Sequence, residues 1–285
     1  MSDLSRAALW MSGAILSFSS MAIAGRWVSL DHDTFELMLY RSVVGFVIVV
    51  CFAAATGRIK RIGGQHLPTH LLRNLAHFTG QNLWFYALTM IPMAQVFALE
   101  FTSPLWVIML APVLLGEPLT RRGLLAALIG FLGILLITSP GGAPLSVGVV
   151  AAALAAIAFA LTAILTRRLT RTVDTLTILF WLTGMQLVFG LIMAGGDGEI
   201  RLPTQSALPW LILIGCAGLL AHLCLTRALG LAPASKVIPI DFTRLPLIAG
   251  IGAVFYDEPI GLGLVLGAAL IIIGNVINLR EKSTT

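Results

Sequence analysis

The chain has 285 residues, 58% hydrophobic and 11% charged, with a mean hydropathy of +0.96. An ordinary soluble domain carries about 25% charged residues, so a water-soluble globular protein is excluded. The 18 Lys/Arg against 13 Asp/Glu give a net charge of +5, but the basic residues stand singly or in short clusters between apolar stretches, and no basic face exists for a nucleic-acid backbone.

Membrane helices need about 20 mostly apolar residues. Such stretches predict ten spans, at approximately 7–26, 35–55, 69–89, 93–115, 122–138, 146–166, 175–194, 207–229, 234–255 and 260–279. None alternates like a strand, which favours a helix bundle over a barrel. The longest gaps, 56–68 and 195–206, are too short to fold alone. Span 1 follows Arg6 but is nearly twice the length of a signal-peptide core, so it is kept as a span. Cys51, Cys216 and Cys224 all fall inside apolar stretches, so neither a disulfide framework nor a Cys-x-x-Cys metal site is expected.

The chemistry-bearing residues are few. Span 2 carries Tyr40 and Arg41. Span 3 carries His77 and Gln81 at i,i+4, with Asn82 beside them. Span 4 holds Glu100 and Trp106, with Pro104 and Pro112 in its interior. Span 7 holds Trp181, and span 8 holds His222. Span 9 holds Asp241 and Arg244, with Pro239 and Pro246 inside it. A proline removes an amide donor and clashes with the carbonyl four residues earlier, freeing oxygens near Glu100, Ile108, Ser235 and Phe242. In hydrocarbon a freed carbonyl must face protein or water. Kinks in spans 4 and 9 therefore mark a transport site, or else are ordinary packing kinks.

An unpaired charge facing lipid costs about 2.5–3.5 kcal/mol on insertion scales, so intramembrane charges need partners. At 1.5 Å per residue, Glu100 and Arg41 lie at similar depth, roughly 10 Å, and are expected to pair. Asp241 and Arg244 share a helix face and form a second pair. Both pairs serve function, or staple helices. The histidines suit proton relay or structural hydrogen bonding. Tyr40, Trp181 and Trp106 are cavity walls for an aromatic or apolar group, or ordinary core.

Basic residues near span ends are retained in the cytoplasm. Arg58, Lys60 and Arg61, then Arg121 and Arg122, then Arg167, Arg168 and Arg171, then Arg280 and Lys282 follow spans 2, 4, 6 and 10. Arg26 with Asp31 and Asp33, Asp197 and Glu199 with Arg201, and Asp257 with Glu258 mark the other side. Both termini are therefore expected inside.

The sequence also repeats. Pro259 minus Pro118 gives 141, and the same shift pairs Phe18 with Phe159, Ala22-Ile23 with Ala163-Ile164, Arg26 with Arg167, Pro92 with Pro233 and Glu117-Pro118 with Glu258-Pro259. It also pairs Glu100-Phe101-Thr102 with Asp241-Phe242-Thr243. The halves are 1–141 and 142–285, each with five spans. An odd number of spans inverts the second copy, the architecture of secondary transporters.

Gly116-Glu117-Pro118 before a Gly-rich span, matched by Asp257-Glu258-Pro259 before another, and Arg41 in Phe35-Glu36-Leu37-Met38-Leu39-Tyr40-Arg41, resemble the drug/metabolite transporter superfamily, in particular its EamA-type branch of ten-helix bacterial exporters. The resemblance implies an all-α integral membrane protein of two inverted five-helix repeats around a central cavity, with helices 5 and 10 peripheral. The second repeat departs from the pattern, since Leu182 stands opposite Arg41.

The expected function is secondary active transport of a small organic metabolite, amino-acid-like and zwitterionic or anionic, by alternating access as a proton-coupled exporter. Uptake or exchange is the alternative. A membrane-embedded enzyme is more distant, since no His-Glu-x-x-His or Gly-x-Ser-x-Gly occurs. No Walker motif is present for an ATP-driven pump. The expected location is the inner membrane. The partners are lipid, the metabolite, protons and a second copy of the chain, with no cofactor, metal or nucleic acid.

Overall fold

The computed structural model describes residues 2–28, 34–91, 93–138, 146–196, 200–247, 250 and 261–280. Asp31, Asp33, Pro92, Asp197, Glu199, Asp257, Glu258, Pro259 and Lys282 lie outside these residues, as does most of span 9 beyond Leu247. The side chains of Arg26 and Trp27 also lie outside the description.

Among the described residues there is no strand. The helices are α1 (Asp3–Val28), α2 (Thr34–Ala55), α3 (Leu67–Met90), α4 (Met93–Glu100), α5 (Ser103–Leu115), α6 (Arg121–Thr138), α7 (Val147–Leu169), α8 (Thr175–Ala194), α9 (Leu208–Leu231), α10 (Ala234–Val237) and α11 (Leu262–Arg280), with 3-10 turns at Ile59–Arg61 and Ile238–Thr243. Six stretches among these residues are long and apolar enough to span a bilayer: Thr34–Ala55, Val96–Leu115, Val147–Leu169, Thr175–Ala194, Leu208–Leu231 and Leu262–Arg280.

The repeat reappears in the helix boundaries. Thr34 and Thr175, Leu67 and Leu208, Met93 and Ala234, and Arg121 and Leu262 are helix starts, and each pair is separated by the same 141 positions. Similar hydrophobic patterns in the two copies thus begin their helices at equivalent residues.

Span 4 breaks where its first proline predicts. Helix α4 ends at Glu100, Phe101 and Thr102 form a turn, and Pro104 enters the first turn of α5, where its missing amide leaves no hydrogen bond unmade. Span 9 is disrupted at the equivalent place: α10 passes at Ile238 into a 3-10 stretch that lasts to Thr243, with Pro239 in its first turn. Helical structure resumes at Ser103 and at Arg244, which are repeat mates. The two threonines before them act alike. Thr102 Oγ1 donates to the Leu99 carbonyl at 2.6 Å and Thr243 Oγ1 to the Ile240 carbonyl at 2.8 Å, supplying donors where the helix ladder is interrupted. Pro112 lies inside α5, which continues through it.

The chain forms two compact units, and each takes segments from both repeats. The first comprises Met1–Ala8, Thr79–Ile164 and Leu231–Thr285, and the second Leu9–Phe78 and Leu165–Gly230. In the first, Ala98, Phe101, Ile134, Phe242, Leu245 and Ile271 make a core. There α6 and α11 approach so closely that a Cβ on Gly133 would stand 2.5 Å from the Gly267 carbonyl oxygen, and one on Gly274 2.6 Å from that of Ala126. In the second unit α2 packs on its repeat mate α8, with Gly190 against the Leu39 backbone and Gly45 against Thr183. Small residues permit such approaches where no hydrophobic force drives helices together.

Polarity is inverted relative to a soluble protein. Val113 is 83% exposed and Leu132 55%, while Glu36, His70, Arg73 and Asn74 are buried. Lipid tolerates the first set, and internal partners are required for the second.

Candidate functional site

The first unit gathers Glu100, Asp241 and Arg244. The helix break after Glu100 and the 3-10 stretch carrying Asp241 bring these repeat-mate carboxylates to one guanidinium. Arg244 Nη2 donates to Glu100 Oε1 at 2.6 Å and to Asp241 Oδ2 at 3.0 Å. Trp84 Nε1 donates to the other Glu100 oxygen at 2.8 Å, and the guanidinium lies 5.0 Å from the centre of the Phe101 ring, a cation–π distance. Phe101 and its repeat mate Phe242 meet edge to face at 6.2 Å. Asp241 Oδ1 is buried and has no hydrogen-bond partner among the described residues. With all three groups ionised the triad carries one net negative charge.

The second unit gathers Arg41, His77 and His222. Arg41 Nη2 lies 3.2 Å from His222 Nε2. Because a guanidinium can only donate, Nε2 accepts, and the neutral ring carries its proton on Nδ1. The His77 and His222 rings meet edge to face with centroids 4.8 Å apart. Gly218 makes space for the guanidinium, since a Cβ there would stand 2.8 Å from Arg41 Nε.

Arg41 and Glu100, expected to pair, fall in different compact units, and each has hydrogen-bond partners within its own. Both Glu100 oxygens are taken by Arg244 and Trp84, and Arg41 is bonded to His222. Depth along two helices constrains only one coordinate, and the rotation of each helix decides the partner. The expected contact of Asp241 with Arg244 is present, as one arm of a three-residue cluster.

The remaining candidates scatter. Tyr40 donates its hydroxyl to the Arg201 carbonyl, while the Arg201 amide donates to Glu36 at 2.7 Å, so the end of α2 clasps the segment before α9. Trp181 donates to the Gly63 carbonyl at 2.9 Å and lines a small apolar recess with Val50, Ile59, Ile62 and Phe180. Gln81 is buried in the first unit's part of α3, Asn82 is partly buried beside it, and Trp106 is partly buried in α5.

Reading the sequence for spans missed Arg73, Asn74 and His70. Arg73 is 1% exposed; its Nε donates to Thr166 Oγ1 and its Nη1 to Asn74 Oδ1, both at 2.9 Å. Asn74 donates to the Trp181 carbonyl at 3.2 Å, and Gln186 donates to the Asn74 carbonyl at 3.0 Å. The signal was available: Arg73 precedes His77 by four residues and His70 precedes Asn74 by four, extending the polar stripe of span 3 toward the helix start.

The chain matches the EamA-like transporter family over residues 5–139 and again over 146–280, two stretches displaced by the same 141 positions as the helix starts. A riboflavin transporter of Brucella anthropi is 28% identical over 281 residues, which cover 96% of this chain and 99% of that protein. An S-adenosylmethionine uptake transporter of Rickettsia bellii is 24% identical over 264 residues, covering 92% and 89%. A solved crystal structure, 20% identical, superposes with a TM-score of 0.81 over 96% of both chains, a likeness of fold. With an all-helical membrane fold, two copies of one sequence repeat and a family match to each copy, this chain belongs to the EamA-like transporter family and is a transporter, not an enzyme.

Proposed function

We propose that the protein is a secondary active transporter of a small zwitterionic or anionic organic metabolite, amino-acid-like, which it exports across the inner membrane by alternating access in exchange for protons. Its repeats, 1–141 and 142–285, act as inverted halves with both termini in the cytoplasm. The observation that carries this reading is the triad at the two interrupted spans. Discontinuous helices at matching positions of two repeats are the best pointer to a transporter's site, and here they deliver repeat-mate carboxylates to one arginine. Two carboxylates against one guanidinium leave room for one proton, with Asp241 Oδ1 as its acceptor. Substrate that draws Arg244 away from either carboxylate raises that group's proton affinity, which links substrate and proton occupancy.

Uptake is the second reading, favoured by the S-adenosylmethionine uptake transporters among the relatives. Proteoliposomes of defined orientation, loaded with the best binder from a thermal-shift screen that includes riboflavin and S-adenosylmethionine, decide between the two. A pH gradient is expected to drive accumulation by the wild type. Asp241→Asn and Glu100→Gln are expected to abolish that dependence while retaining substrate exchange, which needs no net proton movement. Full pH-driven accumulation by both variants would overturn the triad as coupling site.

A further inference from the structure

Two arginines in the second unit, Arg73 buried and Arg41 partly buried, have no carboxylate partner among the described residues. Arg41 is hydrogen-bonded to His222, and Arg73 to Thr166 and Asn74. Arg73 precedes His77 by one helical turn on α3, the His77 ring meets that of His222 with centroids 4.8 Å apart, and His222 Nε2 lies 3.2 Å from Arg41 Nη2, so one run of contacts connects the two arginines. Among the described residues, no Asp or Glu pairs with either arginine. Buried ammonium or imidazolium groups can relieve such a conflict by losing a proton, but arginine stays charged in proteins, and an uncompensated buried charge is strongly unfavourable.

The hydrogen bonds are unbalanced in the same sense. Arg73 Nη2 is a buried donor without an acceptor among the described residues. His222 Nδ1, which carries the ring proton because Nε2 accepts from Arg41, is another, and among the described residues neither ring nitrogen of His70 has a hydrogen-bond partner. His70 and Arg73 stand on one face of α3, three residues apart. Donors exceed acceptors around a double positive charge. The complementary ligand group is charged and acceptor-only, which describes a carboxylate or a phosphate.

We propose that Arg41, Arg73, His70 and His222 form a buried anion site that takes the carboxylate or phosphate group of a small soluble metabolite. The site rests on the transport reading, because a substrate group arriving and leaving supplies the missing counter-charge in turn. Repeat symmetry supports a dedicated role: the mates of Arg41, Arg73 and His70 are Leu182, Ile214 and Leu211, so the fold is built without these polar groups at the equivalent positions.

The test uses the full chain in phosphatidylcholine nanodiscs, melted with inorganic phosphate, benzoate or the neutral isostere benzamide, with affinities from titration calorimetry. Phosphate or benzoate is expected to raise the melting temperature and benzamide is not. Arg73→Met is expected to lower anion affinity roughly tenfold or more while leaving the ligand-free melting temperature equal or higher, because it removes an unpaired charge. A structural arginine would instead lower it. Arg41→Gln is the second variant, and the same loss of affinity is expected. Equal stabilisation by benzamide, or anion affinity intact in both variants, would overturn the site. So would stabilisation by phosphatidylglycerol nanodiscs alone with no response to soluble anions, which would assign the cluster to a lipid headgroup. Flux under a pH gradient in the same preparations separates the two readings. Flux without anion binding removes the site and leaves transport, and anion binding without flux keeps the site and removes transport.

Discussion

The two compact units each bury a cluster of charge, and the clusters are opposites in both balance and symmetry. In the first unit Arg244 is held between Glu100 and Asp241, which occupy equivalent positions in the two repeats. In the second, Arg41 and Arg73 are surrounded by histidines, amides and hydroxyls, and their repeat mates are apolar. Duplication therefore accounts for the two carboxylates of the first cluster, but not for Arg244, whose mate is Ser103, nor for the arginines of the second. A gene that doubles acquires two copies of every helix break and every charge it starts with. What appears in only one copy was added or lost later, and a charge retained against the cost of burying it is the clearest trace of such specialisation.

The sharpest way to break this comparison is to remove an arginine from each cluster. Arg244→Ala strands two carboxylates and is expected to cost about 3–5 kcal/mol of stability, read by denaturant titration in detergent. Arg73→Met, at the other cluster, is expected to be neutral or stabilising. If the two substitutions shift stability in the same direction by similar amounts, the clusters do not differ in compensation, and the contrast between them fails.

Smaller effects come from pairwise coupling. A double-mutant cycle of Glu100→Gln with Arg244→Met is expected to give about 1–3 kcal/mol of interaction energy, since the two share a charge-assisted hydrogen bond. A cycle of Arg41→Gln with His222→Phe is expected to give about 1 kcal/mol, as for a single hydrogen bond to a neutral partner. Arg41→Gln with Glu100→Gln is expected to be additive within about 0.5 kcal/mol. Non-additivity in that last cycle would restore the pairing that depth along the helices first suggested.

The partners of Arg41 within its own unit mark where the sequence stops being legible. Span number, the 141-residue repeat and the disruption of spans 4 and 9 follow from apolar length, self-similarity and the loss of proline's amide, all local properties. The break at Phe101-Thr102 and the stretch ending at Phe242-Thr243 were readable because the prolines and the repeat pointed to the same place. The partner of Arg41 required the rotation of α2 and α9 about their axes, which no periodicity in an apolar helix reveals. Arg73 was missed although its i,i+4 spacing to His77 continued the polar stripe of span 3, because near a span end a basic residue also reads as a topological charge; its partners Thr166 and Asn74 come from the fold.

The smallest expected effect concerns helix starts, where the two units again differ. In the first, the buried Glu117 reaches across the chain to α10. Its two oxygens accept from the amides of Ala234 at 3.2 Å and Ser235 at 3.4 Å, and from the Ser235 hydroxyl at 3.4 Å. In the second, the exposed Asp174 caps α8 from its own chain position, accepting from the Thr177 amide at 3.1 Å and from its hydroxyl at 2.6 Å. Helix starts leave amide donors unmet, and a capping side chain contributes about 0.5–2 kcal/mol. Water replaces the lost acceptor at an exposed start, whereas a buried one stays unsatisfied. Glu117→Ala is thus expected near the upper end of that range and Asp174→Ala near the lower, measured by the same denaturant titration. Glu117→Gln, which keeps one acceptor oxygen but loses the charge facing the donors, should fall between wild type and Glu117→Ala. If Asp174→Ala proved the costlier, the ends of α10 would be held by packing around Pro233 and Lys236 rather than by the Glu117 carboxylate, and the glutamate would owe its place to the turn it terminates after Gly116, whose φ of 68° already requires that position to be glycine.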